Sequence, residues 1–120
     1  MHMMDWNGYR DQVLAGVGEL GKLSPDTTRG YMTLGGAGAK TGHLEAKTRE
    51  LIALACAVTL RCDGCITVHS EAARKLGATP EEVAEALGVA VSLNAGAARV
   101  YSTRTLDAFA AAGDAGPNEP

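Results

Sequence analysis

The chain has 120 residues, 11 Lys and Arg against 14 Asp and Glu, and a formal net charge of −3. That length is one domain's worth, and the acidic balance supplies no basic face for nucleic acid. The aromatics are Trp6, Tyr9, Tyr31, Tyr101 and Phe109 alone, while alanine is abundant. Small side chains fill a core thinly, so close helix contacts and a subunit interface that completes burial are expected. The longest apolar run, Leu51 to Leu60, includes Thr59 and is too short to span a membrane. Met1-His2-Met3-Met4 is followed by Asp5 with no apolar segment behind it, so no secretory leader is read. Three cysteines without a leader point to the reducing cytoplasm, where a CxxC serves redox or metal chemistry.

Helical punctuation dominates the chain. Val13, Leu14, Val17 and Leu20 recur at helical spacing and predict a first helix from Trp6 to about Leu20. Ser24-Pro25-Asp26 reads as an N-cap with proline at the first helical position, opening a short helix to about Leu34. Gly35 to Gly42 reads as a flexible connector; it lacks the glycine spacing of a phosphate loop and follows no strand. A long helix is predicted from about Glu45 to Leu60, polar in its first half and apolar in its second. The next starts near Asp63 and stops at Gly77. Thr79-Pro80-Glu81-Glu82 carries the signature of a capping box and opens a helix to about Leu93. Asn94-Ala95-Gly96 predicts a break, and a last helix follows from about Ala97 to Ala112. The reading is all-α, about six helices in one domain over residues 1–112, with a disordered tail from 113 to 120.

Cys62-Asp63-Gly64-Cys65 with His69 is where chemistry concentrates. If a helix starts near Asp63, both thiols share one face and lie at its N-terminus, where free N–H groups favour a thiolate. His69 follows Cys65 by four residues and is its neighbour on that face. A neutral imidazole accepts the Cys65 proton; an imidazolium stabilises the thiolate or protonates a leaving oxygen. Other readings of the pair exist. A c-type haem site requires histidine directly after the second cysteine, where Ile66 stands. A zinc site would take Cys62, Cys65 and His69, with Cys56 or His43 as a remote fourth ligand. Two inert buried cysteines are a further alternative, opposed by the polarity of Asp63-Gly64. Cys56 itself reads as a small buried hydrophobe, and His43 as an exposed polar residue. Tyr101 and Arg104 share a face of the last helix and suit an interface or the surface.

The run Leu44-Glu45-Ala46-Lys47-Thr48-Arg49-Glu50-Leu51-Ile52-Ala53-Leu54-Ala55, then Cys62 to His69, then Thr79-Pro80-Glu81-Glu82-Val83, resembles the carboxymuconolactone decarboxylase superfamily. Within it the chain is similar to the alkyl hydroperoxidase D-like branch, over roughly Gly42 to Phe109. The pattern Glu-x11-Cys-x2-Cys-x3-His carries the resemblance. It implies an all-α peroxidase of peroxiredoxin-like, antioxidant activity, with no tightly bound cofactor and no metal. By the family pattern Cys65 attacks an organic hydroperoxide, Cys62 resolves the sulfenic acid as a disulfide, and His69 and Glu50 relay protons. A lipoyl-bearing or thioredoxin-like dithiol then reduces the disulfide, and the chain assembles as a homo-trimer or homo-hexamer. Gly64 departs from members that carry a second histidine between the cysteines.

Glu50 stands about 18 Å before Cys62 along an ideal helix, of which His69 returns about 10 Å. Contact between them needs a favourable crossing, a bridging water or a neighbouring chain. Two rival functions stand beside the peroxidase: a carboxymuconolactone decarboxylase-type lyase, which has no evident use for the thiols, and a non-enzymatic redox-sensing or assembly module.

Overall fold

In the computed structural model, residues 1–116 are described, and they form five helices with no strand among them. These are α1 (Trp6–Leu23), α2 (Pro25–Thr41), α3 (Ala46–Leu60), α4 (Asp63–Lys75) and α5 (Pro80–Asp114). The all-α expectation holds; of two expected interruptions that are helical, one lengthens α2 and the other joins the last two expected helices, which lowers the count by one.

The first of these is the glycine-rich stretch after Leu34, which continues α2 to Thr41 and ends at Gly42 with φ 69°. Each glycine costs a helix about 1 kcal/mol relative to alanine, but a tertiary contact uses one of them. A β-carbon on Gly38 would lie 2.8 Å from Cδ of Arg49, so the bare backbone of α2 leaves room for that side chain. The second is Asn94-Ala95-Gly96, through which α5 runs unbroken. The Asn94 amide donates to the Ala90 carbonyl at 2.7 Å and to the Thr59 hydroxyl at 2.9 Å. Its side chain therefore pins α5 to α3 instead of competing with the helix backbone.

The capping signals elsewhere are as read. The Thr79 hydroxyl accepts from the Glu82 N–H at 3.1 Å and the Glu82 carboxylate accepts from the Thr79 N–H at 3.0 Å, the reciprocal pair of a capping box. Gly77, at φ 84°, follows the end of α4. Asp5 caps α1 by accepting from the Gly8 N–H, whereas Ser24 precedes Pro25 without a side-chain cap and bonds the Thr27 hydroxyl instead. Gly113 and Asp114 belong to α5, so the expected tail begins later, and its residues 117–120 lie outside the described residues.

The interior is small. Among the described residues, Leu54 and Ala57 of α3, Thr67 and Ala73 of α4 and Ala90 of α5 are buried. Alanine at three of these positions lets the three helices approach closely. α1 lies across α4, held by the Thr67 hydroxyl donating to the Trp6 carbonyl at 3.0 Å and by the Arg10–Glu71 ion pair. α2 packs on α1, and α5 packs on α3 over its first half only.

Candidate active site

The site is built at the corner between α3 and α4. α3 ends at Arg61, which adopts φ 53°, ψ 46° and is the one non-glycine residue with positive φ among those described. The Cys62 N–H then reaches back to the Ala57 carbonyl at 3.1 Å, a Schellman-type closure that reverses the chain in two residues. Cys62 is at once the residue after that closure and the N-cap of α4. Its sulfur accepts the Cys65 N–H at 3.1 Å. Both cysteines are half-buried, and they are joined as a disulfide across the first turn, with Cα atoms 5.2 Å apart.

One turn further along α4, His69 Nδ1 lies 2.6 Å from Glu50 Oε2 of α3. The contact is direct and within one chain. The tight corner leaves an axial offset of about 6 Å between the two residues, which their side chains span. The carboxylate accepts from Nδ1–H and so leaves Nε2 as the nitrogen that takes or gives a proton. Side-chain exposures of 32% for His69 and 24% for Glu50 keep the pair partly shielded but in reach of solvent.

Of the four expected residues, Cys62 and Cys65 are thus joined at the α3–α4 corner and His69 and Glu50 are paired across the two helices, with His69 four residues after Cys65 on α4. Cys56 is not buried as expected: it is exposed, because it faces a groove between α3 and α5 that nothing among the described residues covers. His43 is exposed and outside the cluster. Among the described residues no three His, Cys, Asp or Glu side chains gather as metal ligands would. Tyr101 and Arg104 do share a face, with the guanidinium 5.1 Å from the ring centre, on an exposed stretch of α5.

Sequence reasoning missed the part played by α1. A β-carbon on Gly64 would lie 3.5 Å from Val13 Cγ1, so α1 lies over the turn that separates the cysteines. That is ordinary van der Waals contact, so α1 covers the turn without itself excluding a side chain at 64. Beside this turn, Trp6, Arg10, Ser70, Glu71 and Arg74 line a hollow of about 570 Å³. There Lys75, hydrogen-bonded to Glu71, holds its carboxyl below the ordinary value, and the Arg10 charge adds to the effect. No local pattern announces α1 as a cover, since Val13 is one apolar residue of an ordinary amphipathic helix.

The profile of the Carboxymuconolactone decarboxylase family matches residues 25–112. The chain belongs to the carboxymuconolactone decarboxylase family. An uncharacterized protein of Haemophilus influenzae is 52% identical over 105 residues, covering 88% of this chain and 93% of its own length. A protein described as uncharacterized protein 4 in the cox locus of Paracoccus denitrificans is 34% identical over 92 residues, covering 77% and 83% of the two chains. Among solved structures, a carboxymuconolactone decarboxylase family protein from Legionella pneumophila, crystallised in its apo form, superposes with a TM-score of 0.70. It is 38% identical, and the match covers 87% of this chain and 93% of that one. The family's all-α fold and this chain's five helices therefore agree.

Proposed function

We propose that this member of the carboxymuconolactone decarboxylase family is an alkyl hydroperoxidase D-like thiol peroxidase. The observation that supports this most is the Glu50–His69 hydrogen bond one helical turn from a cysteine pair already closed as a disulfide. A decarboxylase has no evident use for that pair, whereas a peroxidase cycle passes through it.

In the proposed cycle the Cys65 thiol gives its proton to His69 and the thiolate attacks the terminal oxygen of an organic hydroperoxide. The O–O bond breaks, the alkoxide leaves as the alcohol with a proton returned from His69, and Cys65 becomes a sulfenic acid. Cys62 then attacks the Cys65 sulfur; the S–S bond forms and water leaves. The Cys65 N–H on the Cys62 sulfur favours the thiolate that this second attack requires. An external dithiol, lipoyl-bearing or thioredoxin-like, reduces the disulfide by two exchanges and is itself oxidised. Glu50 orients His69 through its contact with Nδ1.

The test is a thiol count on the reduced protein before and after one equivalent of cumene hydroperoxide, with the disulfide mapped by mass spectrometry. Loss of two thiols as a Cys62–Cys65 link supports the reading. Thiols that stay open to alkylation, together with turnover of carboxymuconolactone that survives loss of both cysteines, would replace it with the lyase.

A further inference from the structure

The hollow between α1 and α4 takes no part in the proposed cycle. It measures about 570 Å³ and is lined by Trp6, Arg10, Ile66, Ser70 and Arg74 among others, a volume within the usual range for small-molecule sites. Its two walls are tied together: the buried Thr67 hydroxyl donates to the Trp6 carbonyl at 3.0 Å, and Arg10 pairs with Glu71. α1 precedes the matched segment 25–112, so the α1 wall is not supplied by the segment shared with the family.

Charge around the hollow is unbalanced. Glu71 serves two cations, Arg10 from α1 and Lys75, whose Nζ lies 2.6 Å away, and both hold its carboxyl below the ordinary value. Arg74 is a third cation, and among the described residues no carboxylate pairs with it. Ser70 stands four residues before Arg74, on the same face of α4, and lines the hollow with it. A guanidinium offers two parallel N–H donors, which match the two oxygens of a carboxylate. Apolar surface flanks it on both sides. Trp6 and Ile66 lie on one; Leu54, Ala78 and Val83 lie on the other, in an adjoining hollow of about 270 Å³ that Ser70 and Arg74 also line. The Glu71 charge in the wall opposes a ligand with a second negative charge.

We propose that this hollow binds a monocarboxylate carrying an alkyl chain, its carboxylate on Arg74 and Ser70 and its chain against Trp6 and Ile66. Arg74 also sits in the last turn of α4, where any cation complements the helix dipole. Lysine would serve that end of the helix equally but lacks the planar fork, so the two roles of Arg74 can be separated.

Trp6 is the single tryptophan of the chain and lines the hollow, so its fluorescence reports occupancy. Octanoate should change it saturably, with a Kd on the order of 0.1–1 mM. Octanol and inorganic phosphate, each lacking one half of the ligand, should bind at least about 10-fold more weakly. R74Q should weaken octanoate binding about 10- to 100-fold. R74K should weaken it too while leaving the thermal midpoint of the protein unchanged, and R99Q, on the exposed half of α5, should bind as the wild type does. No thiol and no peroxide enters the measurement, so its outcome is independent of the peroxidase reading. Absence of saturation up to about 10 mM octanoate in both fluorescence and titration calorimetry would overturn the proposal. So would octanol or phosphate binding as tightly as octanoate, wild-type affinity in R74K, or an equal loss in R74Q and R99Q.

Discussion

Glu50 Oε2 and His69 Nδ1 are 2.6 Å apart although nineteen positions separate them on two helices. The carboxylate opposite Nδ1 holds that ring nitrogen and leaves Nε2 for an outside partner. Replacing Glu50 by Gln keeps a hydrogen-bond acceptor and removes the charge. The rate at which the reduced protein consumes cumene hydroperoxide should then fall about 10- to 100-fold, the usual scale for loss of a group that orients a histidine. Disulfide formation by diamide, which needs no proton delivered to a leaving alkoxide, should change much less. Stopped-flow measurement of both reactions separates a proton-relay role from a merely structural one.

The two cysteines should be unequal. Replacing Cys65 by Ser should abolish peroxide consumption. Cys62→Ser should leave one reactive thiol, whose sulfenic acid accumulates and is trapped by dimedone because no resolving sulfur remains. Mass spectrometry of the adduct reads the result directly; a dimedone adduct on Cys62 in the Cys65→Ser protein would reverse the assignment of roles.

Legibility in the sequence followed the range of the interaction. The capping box at Thr79 and Glu82 and the stop at Gly77 are set by residues three or four apart, and both were readable. The helical course of Gly35 to Thr41 and of Asn94 to Gly96 depends on Arg49 and Thr59, on another helix, and local propensity misreads both. The spacing of Cys62, Cys65 and His69 announced the thiol site. The distance from Glu50 argued against contact, because helix rise alone does not contain the two-residue reversal at Arg61. Cys56 was misplaced for a related reason: an apolar stretch announces burial without saying whether the same chain supplies the cover.

Acid should loosen the end of the molecule away from the thiols. Lys47 Nζ lies 2.8 Å from Glu82 Oε2 and joins the start of α3 to the start of α5. The Lys47 hydrogen bond, chiefly, and the capping bond to Thr79 hold the Glu82 carboxyl below its ordinary value of 4.5, and Lys47 is raised above 10.5 mainly by the same bond to Glu82. A lowered carboxyl binds fewer protons folded than unfolded, so its contribution is present above pH 4.5 and is lost as pH falls through the folded value. The midpoint of thermal unfolding should therefore drop between pH 5 and pH 3. Glu82→Gln, which keeps an acceptor for the Thr79 N–H, should show a shallower drop and a lower midpoint at pH 7. Both side chains keep about a third of their surface in solvent, so the effect should be small and shrink in high salt.

Arg61 carries a backbone cost at the point where the site is made. A side chain at φ 53° crowds its own carbonyl, a strain of about 1 kcal/mol that glycine does not have. Helices that close this way most often place glycine there. Arg61→Gly should keep the Cys62 N–H bond to the Ala57 carbonyl and stabilise the fold by about 0.5–1 kcal/mol, the gain at the corner being partly offset by the greater freedom of glycine in the unfolded chain. Arg61→Val, β-branched at the same φ, should destabilise by about 1–2 kcal/mol and slow peroxide consumption, since it displaces Cys62 from the start of α4. Urea unfolding of the two variants, with their peroxide rates measured in parallel, checks the order. A glycine variant that is more stable yet slower would show that the arginine side chain itself, and not only the turn it occupies, serves the thiols.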